Sequence, residues 1–257
     1  ASISVDDSVA FLGRKFRRTC VTGCVATAMA QIMKYYNYPE SGLGMGSYYF
    51  DGDYVDVNYS NGTYNWNNML NTYGNMWALD TAKAYAVAKL MFHAGVSVYM
   101  DYGADLSGTQ SSYVPDALKQ NFQYRGGISQ LSRNDIPTNE WIHKLITELD
   151  LSRPVYYSGS RTDNEQVAGH AFVVDGYQTG EITSYFHFNW GWGGSDNGYF
   201  NVDYASQQGG VSSSMLFSNG QAMITNILPM GVAGINFKDC KGKVVIPFAE
   251  GTIDDGS

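Results

Sequence analysis

Residues 24–36, Cys-Val-Ala-Thr-Ala-Met-Ala-Gln-Ile-Met-Lys-Tyr-Tyr, carry apolar side chains nearly all round a helical wheel and one charge, Lys34. Ala and Met are strong helix formers. A helix that is apolar on every face has to be buried on every face. The segment therefore demands a core large enough to enclose it. A chain of 257 residues can build one, as a single large domain or two small ones. Thr22 and Gly23 stand where an N-cap belongs, and Asn37 to Pro39 stop the helix. Cys24 thereby falls on the first turn of a buried helix.

Around this helix the pattern divides in two. Residues 78–94, 112–123 and 139–150 read as further helices, the last from the i, i+4, i+8 stripe Trp141, Leu145 and Leu149. Residues 40–75 are rich in Gly, Asn, Asp and Tyr, which predicts loops and short strands. Residues 154–158, 170–177, 185–190, 199–204 and 223–228 are strand-like, with Gly-rich breaks. Helices first and antiparallel strands second make an α+β layout. Residues 1–21 form a short N-terminal segment with a basic cluster, Arg14, Lys15, Arg17 and Arg18, that suits an activation junction. Residues 231–257 read as a tail or the start of an appended domain.

Composition excludes several functions. Net charge is −8, so a phosphate backbone is repelled and nucleic-acid binding is not expected. No apolar run approaches the ~20 residues of a membrane span. Three cysteines, Cys20, Cys24 and Cys240, do not make a disulfide framework. Cys20 and Cys24 with His170 and His187 lack the paired short spacings of a zinc site, and no metal is expected. His93 and His143 fall in helical patterns and read as core or boundary residues. An acidic, Tyr- and Trp-rich chain also suits a carbohydrate-binding module or glycosidase, with carboxylates from Asp101 and Asp105 or from Asp51, Asp53 and Asp56. In Gly/Asn-rich segments such aspartates more often start turns.

Cys24 is the chemical focus. Free N–H groups and the positive end of a helix dipole favour a thiolate and can donate to an oxyanion. A lone cysteine is otherwise a small core residue. A nucleophile needs a base, and His170 lies 146 residues downstream, after Gly169 and before an apolar strand. If residues 170–177 and 185–190 form a hairpin centred on Thr179-Gly180, His170 faces Asn189, with Trp190 adjacent. Either would orient the ring as a third triad member does. Cys, then His 130–150 residues later, then Asn is the order of papain-like enzymes.

Several segments carry a more specific resemblance. They are Thr22-Gly23-Cys24-Val25-Ala26-Thr27-Ala28-Met29-Ala30-Gln31-Ile32-Met33-Lys34-Tyr35, Tyr64-Asn65-Trp66-Asn67-Asn68, Met100-Asp101-Tyr102-Gly103, Pro154-Val155-Tyr156-Tyr157, Gly169-His170-Ala171-Phe172 and Asn189-Trp190-Gly191-Trp192-Gly193-Gly194. In this order, over residues 22–229, the chain resembles the streptopain family of secreted bacterial papain-like cysteine peptidases. The resemblance implies a catalytic domain over 22–230, with a helical half (about 22–125), a β half (about 126–230) and a cleft between them. It implies Cys24 as nucleophile, His170 as general base and acid, and Asn189 and Trp190 beside the histidine. It places Gly169, Gly108 and Trp192 along the substrate cleft. It further implies an N-terminal inhibitory prodomain, protein or peptide substrates, and no cofactor. One departure stands out. The family pattern has an oxyanion Gln in an Asn-Gln-x-x-Pro-Tyr-Asn-like segment upstream of the Cys. Here the first Gln is Gln31, inside the helix. A catalytically impaired scaffold or an acyltransferase is the alternative on the same fold.

Overall fold

The computed structural model describes residues 20–50, 53–71, 80–163, 166–179, 184–202 and 217–231. The basic cluster at 14–18, Asp51, Cys240 and the tail after 231 lie outside the described residues. The described elements are four α-helices and eight strands. They are α1 (Cys24–Tyr36), β1 (Met45–Phe50), β2 (Asp53–Asn58), α2 (Thr81–Ser97), α3 (Val114–Asn121), β3 (Ser129–Ser132), α4 (Thr138–Asp150), β4 (Val155–Asp163), β5 (Gln166–Thr179), β6 (Ser184–Asn189), β7 (Gly198–Phe200) and β8 (Asn219–Thr225).

A six-stranded antiparallel sheet, in the order β3-β8-β4-β5-β6-β7, organises the second half, and β1 and β2 form a separate hairpin. The sheet is a wall between two cores. Strand side chains alternate in direction, so Ala171 and Val173 of β5 join α1, α2 and α3 in one core, while Phe172 and Val174 join Trp141 and Leu145 of α4 in the other. Tyr156 and Tyr157 of β4, and Ile224 and Met223 of β8, divide the same way. This two-sided burial explains why β4 and β5 read as apolar runs rather than as alternating ones.

The α+β layout expected from the sequence is the one found. Helix α1 occupies the expected residues, with eight of its thirteen side chains buried. Asp80 caps α2 by accepting from the Ala82 N–H, and Pro115 stands at the start of α3. Three features go beyond or against the sequence reading. β3 forms where no element was assigned, His143 is exposed on α4 rather than in a core or boundary position, and the β5–β6 hairpin has another register. Val173, not His170, pairs with Asn189. The strands close at Thr179 and Ser184, and a bulge between Val174 and Gly176 shifts the ladder further. His170 pairs with Gly159 of β4 instead. Among the described residues no helix is long and apolar enough to cross a membrane.

Candidate active site

The site is assembled where the N-terminus of α1 meets β5. Gly23 is the N-cap, at φ 80° and ψ 149°, and no side chain caps the helix. Its carbonyl accepts from the N–H and the hydroxyl of Thr27, at 3.2 and 2.9 Å. The first-turn amides of Cys24 and Val25 stay available and point at the Cys24 sulfur. A third N–H reaches the same sulfur from Ala171 of β5. β6 covers β5 only from Val173 onward, so the earlier part of that edge is open to α1.

Burial and these amides pull the thiol in opposite directions. Desolvation raises the Cys24 pKa and is the larger effect; the N–H groups of Ala171, Cys24 and Val25 lower it. His170 is likewise pushed toward neutrality, down to about 4, by burial first, with the Arg161 charge acting the same way and the Trp190 carbonyl opposing. Each charge alone is disfavoured here. Moving one proton from sulfur to imidazole forms the two charges as an opposite pair, the form in which burial disfavours them least.

The ring of His170 is held by a backbone group. Its Nε2 lies 2.9 Å from the Trp190 carbonyl oxygen. A carbonyl only accepts, so Nε2 carries the proton and Nδ1 of the neutral ring is the bare acceptor. Aromatic rings enclose the imidazole: Trp192 and Phe217 at 4.9 Å, and Phe172 and Trp190 at 6.0 Å between centroids. Trp190 is buried and locked, its indole N–H donating to the Asp196 carbonyl at 2.9 Å and its backbone N–H to Asn197 Oδ1 at 3.0 Å. Trp192 stacks on it, half exposed. The Asn189 side chain does not meet the imidazole. Its oxygen accepts from the Gly191 N–H and from Gln31 Nε2.

The two expected cleft glycines lie at the surface with free space where a Cβ would stand: nothing within 4 Å of Gly108, and only the Gly159 carbonyl at 4.0 Å from Gly169. Gly108 bridges to Asp101 through two backbone hydrogen bonds. The preceding Ser107 donates to the Val21 carbonyl at 2.6 Å, tying that loop to the entry of α1. Beneath Cys24, the Tyr156 hydroxyl hydrogen-bonds Ser111 at 2.8 Å. A cavity of about 590 Å³ opens behind the turn after β6, with Gln31, Lys34, Asn189 and Gly191 among its walls; Cys24 and His170 do not line it.

Sequence reasoning missed Gln31, Gly159 and Phe217. A Cβ on Gly159 would stand 2.0 Å from the Phe217 carbonyl oxygen, so only glycine lets Phe217 lie against the His170 ring. An isolated Gly inside a strand pattern was the available signal. Among the described residues no group of three or more His, Cys, Asp or Glu side chains is placed to hold a metal ion.

The chain is similar to known proteins over most of its length. Residues 9–200 match the profile of the peptidase C10 family. Streptopain of Streptococcus pyogenes is 38% identical over 222 residues, which cover 83% of this chain and 52% of streptopain. The thiol protease/hemagglutinin PrtT of Porphyromonas gingivalis is 37% identical over 214 residues, 81% of this chain and 24% of that protein. The chain thus spans about half the length of streptopain and about a quarter of PrtT. Among solved structures, active interpain A of Prevotella intermedia, a cysteine protease, superposes with a TM-score of 0.73 at 32% identity, covering 84% of this chain and 87% of that one. A prointerpain A fragment gives 0.68 at 30% identity, covering 84% of this chain and 66% of the fragment. The papain-like α+β architecture expected from the sequence is therefore the fold of this chain, which belongs to the peptidase C10 family.

Proposed function

We propose that the chain is the catalytic part of a cysteine endopeptidase, with Cys24 as nucleophile and His170 as general base and acid. The observation that carries this reading is the hydrogen bond from His170 Nε2 to the Trp190 carbonyl. It leaves Nδ1 as the ring's only proton acceptor, in the residue next to the amide that touches the Cys24 sulfur. The thiol proton passes to Nδ1 as the sulfur attacks a peptide carbonyl carbon. The Cys24 N–H, at an uncapped helix N-terminus, donates to the resulting oxyanion. The imidazolium returns its proton to the leaving nitrogen as the C–N bond breaks. Water, deprotonated by His170, then splits the thioester and the thiol is restored.

Trp190 holds the imidazole through its carbonyl and shields it with its indole, and Asn189 acts one bond further back. Gly108 and Gly169 offer bare backbone to an extended substrate, and Trp192 forms a rim beside the ring. Substrates are proteins or peptides, the cleft lies between the helical and β halves of residues 22–230, and no cofactor enters the chemistry. Family membership and the prointerpain A relative support secretion from a bacterium as a zymogen with an N-terminal inhibitory prodomain.

The test is labelling followed by turnover. Iodoacetamide at neutral pH should modify Cys24 stoichiometrically and faster than Cys20 or Cys240. Cys24→Ala should abolish casein cleavage with the fold retained. Equal slow labelling of all three thiols points to an impaired scaffold, and a thioester captured by added amines in preference to water points to an acyltransferase.

A further inference from the structure

Gln31 stands in the middle of the buried helix α1, two turns beyond Cys24. Its Nε2 lies 2.9 Å from Asn189 Oδ1, and the same oxygen accepts from the Gly191 N–H at 3.2 Å. A backbone N–H only donates, so the Asn189 atom it meets is the oxygen. The Gln31 atom meeting that oxygen is therefore the NH2 group, and both amide orientations are fixed. The Gly191 N–H and the Trp190 C=O are opposite ends of one planar peptide unit. The carbonyl end accepts from His170 Nε2 at 2.9 Å. A continuous set of bonds thus joins the helix that carries Cys24 to the imidazole: Gln31 to Asn189, Asn189 to the Trp190–Gly191 peptide, and that peptide to His170.

Two further observations set Gln31 apart from ordinary packing. Its Oε1 is buried with no hydrogen-bond partner among the described residues. A half-satisfied amide in a buried helix is destabilising, so what keeps it there is its donor. The other anchors of the turn, Asn197 Oδ1 and the Asp196 carbonyl, hold the Trp190 N–H and indole. Asn189, braced by Gln31, is the side chain that grips the peptide whose carbonyl meets His170.

We propose that Gln31 is a positioning residue: through Asn189 it pins the Trp190–Gly191 peptide and so fixes the His170 ring, and the nitrogen that carries its proton, relative to Cys24. The inference rests on the peptidase reading above. A peptide unit bonded at its N–H end is a stronger acceptor at its C=O end. Releasing Asn189 lets the peptide plane turn and weakens the bond that stabilises imidazolium. Among the described side chains, the charge acting on His170 is Arg161 of β4; Tyr156 of β4 interacts with Cys24, and the exposed Asp196 meets Trp190 through its backbone carbonyl. None of them bonds Gln31. Lys34, on the same cavity wall, is engaged by Asn37 and the Trp66 carbonyl.

The test uses the whole chain and a peptide substrate, with kcat and KM measured across pH. Gln31→Met keeps length and helix propensity and removes the donor. It should lower kcat about tenfold or more with KM little changed, as expected for an interaction used in the transition state. The alkaline limb of kcat/KM should move to lower pH, because imidazolium loses its proton more readily. Asn189→Ala should do the same, and the double variant should be no worse than Asn189→Ala alone, since both break one link. Asn189→Ala carries the test if Gln31→Met does not fold. A folded Gln31→Met, or a folded Asn189→Ala, with the parent's kcat and alkaline limb overturns the proposal while the peptidase reading stands. A parent chain that neither cleaves nor labels at Cys24 overturns both.

Discussion

The chemistry of this site depends on residues that contribute geometry rather than functional groups. Gly23 is one. At φ 80° and ψ 149° it occupies backbone space that is essentially restricted to glycine. A Cβ there would stand 2.8 Å from the Met100 sulfur and terminal methyl and 3.1 Å from the Ser107 carbonyl oxygen. Met100 is flexible and can give way; the loop backbone behind it cannot do so without moving the wall next to Gly108. Gly23→Ala is therefore expected to cost about 1–3 kcal/mol from backbone strain, read as a lower urea midpoint. It should also slow Cys24 alkylation, because the amides aimed at the sulfur belong to the turn that Gly23 launches. An unchanged alkylation rate in a destabilised Gly23→Ala would mean that the amides are not what activates the thiol. At this scale the sequence is legible where a residue type announces a candidate chemistry, as the proposed nucleophile Cys24 and proposed base His170 do. It was silent where a residue matters through a neighbour distant in the chain: Gln31 reads as a polar interruption of an apolar helix until Asn189 is seen beside it.

At the scale of elements, local signals identified α1, α2 and α4 because helical periodicity and caps are written in contiguous residues. Most strands of the second half were found, as was the pairing of β5 with β6, but not its register. β3, Ser-Gln-Leu-Ser, has three polar residues in four and is a strand only because β8 supplies its ladder at the sheet edge. The β5–β6 register escaped for the same reason: a bulge and the length of the connection are set by what both strands pack against, not by either strand alone. One joint between elements carries a sharp prediction. Glu148 of α4 and Arg153, which precedes β4, form a pair at 2.8 Å with side chains only 7% and 9% exposed, and Glu148 Oε2 also accepts the Asn226 N–H just after β8 at 3.0 Å. The pair thus ties α4 to the neighbouring strands β8 and β4. Glu148→Ala strands a buried guanidinium and should cost about 3–5 kcal/mol. Replacing both residues by Leu should cost less than Glu148→Ala alone, since no charge is then left unpaired. A Glu148→Ala melting curve matching the parent's would refute a structural role for the pair.

For the whole molecule, the sheet with a core on each face has a consequence for its response to acid. Each core packs against a histidine, His93 fully buried and His170 partly so, and no carboxylate partner is recorded for either among the described residues. His93, fully enclosed among α2, Tyr59 and Tyr64, is pushed down to about 3 by burial, with Lys89 adding to the effect. His170, against the aromatic cluster of the other core, is pushed down to about 4. Both bind a proton more tightly in the unfolded chain, where a histidine titrates near 6.5. The unfolded state therefore holds more protons as pH falls below that value, and stability declines by up to about 1.4 kcal/mol per pH unit for each histidine. Glu148, raised by burial, pulls the other way, but only as pH approaches the carboxylate range from above. In the parent chain the Cys24 sulfur complicates the measurement, because a thiolate paired with His170, as proposed, would keep the imidazole protonated in the folded state. Cys24→Ala removes that coupling and any self-cleavage. Urea unfolding of Cys24→Ala should show stability falling between pH 7 and pH 5, before most carboxylates titrate, and His170→Ala in that background should flatten the slope by about the share of one histidine. A stability flat across that range would mean that the two rings are not buried in their neutral form. The two-core reading of the sheet, on which their placement depends, would then need revision.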